Sequence, residues 1–255
     1  MFVSERLENI LAIINKAGKV EVNELSKNFK VSKDLIRKDL SRLEEDGFIE
    51  RTYGGAIKKR HNAETVTVVS RIYKNLEVKK KIAQKALQEI KKDDTIFLDI
   101  SSINYILASE ILKNGIEVTI VTNMIDVMHL FSMTLQNKVQ LIGIGGACNA
   151  LLDGFVGIAA IDQINKFNID KSFIGAIGIN LYDGNVSTYD LEDGLTKSAI
   201  MNRSKKNYLI TEKKKLDQDG KFNFSIIKDF DTIITESSID QKEINQIKKY
   251  KVNVL

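Results

Sequence analysis

From Glu77 onwards, stretches with helical spacing alternate with short apolar runs of strand length. Lys79–Ile90 places Ile82, Ala83, Ala86 and Ile90 on one helical face, and the apolar run Thr95–Asp99 follows it. The same reading predicts helices over Asn104–Lys113, Ile125–Leu135 and Leu195–Arg203, and strands over Val118–Thr122 and Val139–Ile142. Further strands are expected near Lys171–Ile177, Tyr208–Ile210 and Thr232–Thr235, then a helix over Asp240–Tyr250 and a last strand over Lys251–Leu255. Strands separated by helices of this length need crossover connections, which give a parallel sheet. Residues 77–255 are therefore expected to form an open, mostly parallel α/β (Rossmann-like) domain.

The first quarter of the chain reads differently. Leu7, Ile10, Leu11 and Ile14 recur at intervals of three and four, with Ser4 as the expected N-cap and Gly18 as the stop. A second helix is expected over Val22–Phe29, with Val22, Leu25 and Phe29 inward. After Lys30-Val31, Ser32 is placed to cap a third helix that runs to Gly47. Its inward residues are Ile36, Leu40 and Leu43, with Leu35 at the margin, and Lys33, Asp34, Arg37, Lys38 and Ser41 face outwards. Two short helices joined by a tight turn, the second with an exposed basic start, match a helix-turn-helix. The β-prone run Phe48–Tyr53 and the Gly54-Gly55 turn then predict a wing.

Charge supports this division. The whole chain carries only +4, but residues 1–60 hold 13 Lys/Arg against 10 Asp/Glu, and Lys27–Arg42 alone holds six basic residues against Asp34 and Asp39. Residues expected to meet DNA are Ser32, Lys33, Asp34, Arg37, Lys38 and Arg42 on the recognition helix, and Arg51 and Tyr53 on the wing. Residues 1–57 form the expected winged helix-turn-helix domain, 58–76 a linker and 77–255 the α/β domain. The linker contains the basic triplet Lys58-Lys59-Arg60 and no sustained period. A single cysteine, Cys148, excludes an internal disulfide. The start of the chain has no basic stretch followed by an apolar one, no apolar run is long enough to span a bilayer, and a cytoplasmic protein is expected.

Ligands of open α/β sheets bind beyond the carboxyl ends of the strands. Those ends here are Asp99-Ile100-Ser101-Ser102, Thr122-Asn123 and Gly143-Ile144-Gly145-Gly146. Hydroxyls, backbone amides at a helix start and a glycine turn are the parts of an anion cradle.

The segment "VSKDLIRKDLSRLEEDGFIERTYGGA" resembles the DNA-binding domain of DeoR-type bacterial transcription regulators, with Leu35, Lys38 and Tyr53 where that pattern has Thr, Arg and His. The later segments "FLDISSI", "VTN", "LIGIGG", "DKSFIGAIGINLYDG", "LEDGLTK" and "TEKKKL" resemble the family's C-terminal sensor domain. That resemblance implies a fold similar to ribose-5-phosphate isomerase and a site for a sugar phosphate, with Lys197 and Lys215 supplying charge. The expected effector site is Asp99, Ser101, Ser102, Asn123, Gly145, Gly146, Asp190, Lys197 and Lys215. Ser101 and Ile103 depart from the loop Gly and second Thr of the pattern, and Ile177 and Asn180 replace two aspartates.

An isomerase needs a carboxylate base near the carbon that loses a proton. Ile177 and Asn180 cannot supply one, which leaves Asp99, Asp190 and Glu192. No His or Cys grouping offers a nucleophile or a metal site, so neither metal nor cofactor is expected. The reading is a DNA-binding repressor of a carbohydrate operon, with operator DNA, a phosphorylated sugar and further copies of the chain (a dimer or tetramer) as partners, and no membrane. The alternative is a sugar-phosphate isomerase with an appended DNA-binding domain.

Overall fold

A computed structural model describes residues 3–58, 61–62, 68–134 and 138–255, and the chain divides into two compact units, Met1–His61 and Asn62–Leu255. Lys59 and Arg60 of the basic triplet and Leu135 lie outside the described residues.

In the first unit, α1 (Val3–Ala17) starts one residue ahead of the cap expected at Ser4 and ends at Gly18, whose φ of 78° stops the helix. Strand β1 (Lys19–Glu21), which the spacing did not reveal, leads into α2 (Val22–Phe29). Lys30 takes the left-handed conformation and turns the chain into α3 (Lys33–Glu45). α3 ends two residues short of Gly47. The Gly47 and Phe48 amides donate back to Glu44 and Leu43 at 2.9 Å, which closes the helix end with glycine at φ 80°. β2 (Ile49–Thr52) and β3 (Gly55–Lys58) form the wing, and β3 also pairs with β1. A Cβ on Gly55 would lie 2.0 Å from the Val20 carbonyl oxygen, so this close crossing requires glycine. Ile10, Ile14, Leu25, Ile36, Leu40, Leu43 and Ile49 fill the centre, and Leu7, Leu11 and Phe29 flank it.

The second unit is built on seven parallel strands. Their spatial order is Asn253–Val254, Thr232–Ile234, Ser204–Ile210, Ile169–Gly175, Thr95–Leu98, Val118–Thr122 and Val139–Gly143. Both faces are covered, so neighbours along a strand enter different cores. Ile96 and Leu98 join one cluster with Ile82, Leu107 and Ile120, while Phe97 joins the other with Val121, Ile174 and Leu209. The chain runs outwards from Thr95–Leu98 through the next two strands and then returns to place Ile169–Gly175 on the other side. The direction of winding therefore reverses between Thr95–Leu98 and Ile169–Gly175, which opens a crevice at their carboxyl ends. A three-stranded antiparallel sheet (Gly178–Ile179, Asn185–Thr188, Phe222–Ile226), a hairpin (Ala147–Asn149, Gly154–Val156) and a helix (Ile158–Ile164) add pieces that the sequence did not suggest. A short helix, Val68–Ile72, lies within the stretch read as linker, and Ile72 is buried in the core of this unit. Among the described residues no helix is long and apolar enough to cross a membrane.

Candidate functional site

α3 begins as its sequence dictates: the Ser32 hydroxyl accepts from the Leu35 amide at 3.2 Å, leaving the other first-turn amides directed outwards. Lys33, Asp34, Arg37, Lys38 and Arg42 are exposed. Arg37 Nη1 donates to Asp34 at 2.6 Å with both side chains more than half exposed, a pairing weak enough to exchange for an outside anion. Arg51 Nη1 donates to Ser41 Oγ at 2.7 Å, and its backbone amide donates to Glu44 at 2.9 Å. These bonds brace the wing against α3 and leave Tyr53 fully exposed at the wing tip. Asp39 departs from the simple charge count. It turns inwards and accepts from Arg6 at 2.6 and 3.1 Å, and the two residues are 4% and 5% exposed. With Asp39 withdrawn, Asp34 is the sole exposed acid within the first eight residues of α3.

In the second unit, the crevice at the winding reversal forms a narrow, partly open cleft. Ile100 and Ser101 line it from the end of one strand and Gly175, Ala176 and Ile177 from the end of its neighbour. Arg71, Leu152, Thr188, Tyr189, Asp193, Lys197 and Lys215 complete it. Ser101 caps the helix Ser102–Asn114, its hydroxyl accepting from the Ile103 amide at 3.2 Å. The serine that replaces the family's loop glycine thus occupies one helix-start donor that an anion would otherwise use. Ser102 is buried at the first position of that helix.

Lys197 is 2% exposed, and its Nζ lies 2.6 Å from Asp99 Oδ2 and 3.3 Å from Asp193 Oδ1. Burial opposes its charge, but the two carboxylates outweigh burial and raise its pKa. Burial raises the pKa of Asp193, against the pull of Lys197. Asp99 Oδ2 also accepts from the Gly175 amide at 3.0 Å, while Asp99 Oδ1 has no hydrogen-bond partner among the described residues. Lys215 Nζ donates to the Ala176 carbonyl at 2.5 Å. Burial first, and then the charge of Arg71, push the Lys215 pKa down to about 7, with Glu212 opposing.

The cleft thus gathers Ser101, Lys197 and Lys215, with Asp99 directly behind Lys197 and Ser102 at the adjoining helix start. It does not gather four other residues expected there. Gly145 and Gly146 follow the edge strand Val139–Gly143, two places across the sheet from Thr95–Leu98, and the Gly145 amide and carbonyl are both taken by the Gln163 side chain at 3.2 and 2.9 Å. Asn123 Nδ2 donates to the Phe155 carbonyl at 3.0 Å and fastens the hairpin. Asp190 caps the helix Leu191–Asn202 by accepting from the Asp193 amide at 2.9 Å. Of the two positions where aspartate is replaced, Ile177 lines the cleft and Asn180 closes a turn with Tyr182 and Asp183. Arg71 and Asp193 were missed by sequence reasoning: one lay in a stretch without a period, and the other was one acid among several in a helix.

A helix-turn-helix profile and a sensor profile both match. The DeoR-like helix-turn-helix domain matches residues 6–61, and the DeoR C terminal sensor domain matches residues 74–237. The chain belongs to the DeoR family. The DeoR family comprises transcription regulators rather than enzymes, and its helix-turn-helix domain makes this chain a DNA-binding regulator. Two relatives match almost end to end. The lactose phosphotransferase system repressor of Staphylococcus epidermidis is 29% identical over 245 residues, 94% of this chain and 94% of that protein. The glycerol-3-phosphate regulon repressor of Escherichia coli is 29% identical over 234 residues, 92% of this chain and 91% of that protein. Among solved structures, ribose 5-phosphate isomerase A from Methanocaldococcus jannaschii aligns with a TM-score of 0.39 and 14% identity, over 55% of this chain and 54% of that one. Arg71 falls between the two stretches that the DeoR profiles cover.

Proposed function

We propose that this DeoR-family chain represses an operon of sugar metabolism and is released from, or locked onto, its operator by a phosphorylated sugar. The observation that carries this reading is the cleft: Arg71 and Lys215 converge at the winding reversal of the sheet, beside the start of the helix Ser102–Asn114. The names of the two relatives, a lactose phosphotransferase system repressor and a glycerol-3-phosphate regulon repressor, agree with control by a phosphorylated metabolite. Ser32, Lys33, Asp34, Arg37, Lys38 and Arg42 are the proposed DNA-facing residues of α3, joined by Arg51 and Tyr53 of the wing. Paired half-sites require at least two copies of the chain, so a homo-oligomer is part of the proposal.

Binding through basic side chains releases counterions. With roughly 6–10 phosphate contacts per dimer, operator affinity falls about 10³- to 10⁵-fold between 50 and 200 mM salt. Fluorescence anisotropy with a labelled operator measures this, and a salt-independent affinity contradicts the reading. In the same assay Arg37→Ala relaxes sequence discrimination, at a cost of about 1–3 kcal/mol on the cognate site. Lys33→Ala weakens cognate and random DNA alike. The operator itself comes from genome-wide mapping of binding sites, and the enzymes encoded beside it indicate the effector.

A further inference from the structure

We infer that Arg71 and Lys215 form the phosphate clamp of the cleft, and that Lys197 is a positioning residue that holds Asp99 and Asp193 in place. This rests on the reading that the ligand is a phosphorylated metabolite. The charge of Lys197 is already answered by two carboxylates at 2.6 and 3.3 Å, and an anion that approached it would meet both of them.

Arg71 and Lys215 are in the opposite situation. The Arg71 guanidinium lies 5.4 Å from the Tyr189 ring centroid, an interaction that fixes its plane without consuming N–H donors. Its buried Nε has no hydrogen-bond partner among the described residues. An arginine fork suits the paired oxygens of a phosphate. The backbone that carries it is also pinned: the buried Lys79 ammonium donates to the Arg71 carbonyl, and to the Lys74 carbonyl at 2.6 Å. Lys215 is 9% exposed, and a single backbone carbonyl takes one of its three donors. Four charged groups influence it. Arg71 comes from the helix Val68–Ile72 and Lys79 from the helix Leu76–Gln88, while Glu212 and Lys214 precede it on its own segment. Glu212 is itself held by Asn75 at 2.9 Å and Lys214 at 3.1 Å, with Lys79 Nζ at 4.0 Å. Arg71 and Lys214, joined by Lys79 (whose pKa burial lowers to about 8), face the engaged Glu212, and the Asp193 carboxylate on the same cleft is answered by Lys197, so a local excess of positive charge remains. A phosphate dianion placed between Arg71 and Lys215 answers both. The wall formed by Ile100, Leu152 and Ile177 offers no side-chain polar group, so an ester is gripped by its phosphate end.

The clamp has a readout that a merely structural role would not move. With its pKa near 7, Lys215 is mostly neutral at pH 8 in the free protein. A bound dianion restores its charge, so binding at pH 8 takes up close to one proton, on the order of 0.5–1 per site. Isothermal titration of the full-length protein with inorganic phosphate and with a panel of three- to six-carbon sugar phosphates tests this, run at pH 8 in two buffers of different ionisation enthalpy. The expected result is proton uptake in the wild type, its reduction in Lys215→Met to the share taken by Lys79 (pKa lowered to about 8), and affinity weakened about tenfold to a hundredfold in both Lys215→Met and Arg71→Met. Arg71→Lys is expected to recover only part of the loss. Binding without proton uptake in the wild type overturns the clamp, and that measurement needs no variant. Full affinity in the Arg71 and Lys215 variants also overturns it and leaves phosphate-ester sensing intact. If neither phosphate nor any ester binds the wild type, both the clamp and the sensing reading fail.

Discussion

Replacing Asp39 with alanine is expected to cost the N-terminal unit about 3–5 kcal/mol, because it strands the Arg6 guanidinium in a nearly closed core. A unit of about sixty residues has a total stability of only a few kcal/mol, so this loss is enough to unfold most of it at 37 °C. Far-UV circular dichroism during urea denaturation of the full chain should show the first transition moving to lower urea or vanishing, and operator binding should be lost with it. Removing both charges at once has a different outcome. Arg6→Met combined with Asp39→Leu replaces an ion pair with apolar volume, and such exchanges are often neutral or stabilising by about 1–4 kcal/mol. If Asp39→Ala alone melts like the wild type, the pair does not hold α1 to α3.

The second large effect lies in the sensor unit. Lys197→Met leaves Asp99 and Asp193 facing each other without their cation, both at most 2% exposed, and is expected to cost about 3–5 kcal/mol. The pH dependence has a definite sign. In the wild type the Lys197 pKa is raised on folding, so its contribution is complete below the ordinary lysine range and is lost only as pH climbs through the folded value. In the variant Asp193, whose pKa burial already raises in the wild type, loses the opposing pull of Lys197, so its folded pKa rises further above the unfolded value of about 4. Stability of the variant then falls as pH rises from that point. Thermal melts should show a smaller gap between wild type and variant at pH 5 than at pH 7.5. A gap that is constant with pH contradicts the assigned charge network.

These two clusters show what was legible in the sequence. The spacing of Ile10, Ile14, Leu25, Ile36, Leu40 and Leu43 specified the first core almost residue by residue, and Ser32 announced the recognition helix. Arg6 and Asp39 were hidden because charged residues on amphipathic helices usually face water. The signal was nevertheless present: Arg6 stands four residues before Ile10, and Asp39 stands between Ile36 and Leu43, so both occupy inward positions. In the sensor unit the alternation of helix and strand specified a parallel sheet, but no local pattern encodes the lateral order of its strands. The three strand ends that are consecutive in sequence looked convergent. The sheet instead pairs Thr95–Leu98 with Ile169–Gly175, which substitutes Gly175–Ile177 for Gly145 and Gly146 at the cleft. Arg71 was obscured for a related reason: five residues of helix, Val68–Ile72, are too few to display a period.

Operator affinity measured at fixed salt, with and without each member of a panel of sugar phosphates and the corresponding unphosphorylated sugars, bears most directly on control of DNA binding by a phosphorylated effector. A ligand moves occupancy only through unequal affinity for the DNA-competent and incompetent states. The predicted result is that at least one ester shifts operator affinity on the order of 5- to 150-fold while its parent sugar leaves it unchanged. If no ester shifts it, or the parent sugar shifts it equally, phosphate recognition in the cleft is not what controls this regulator.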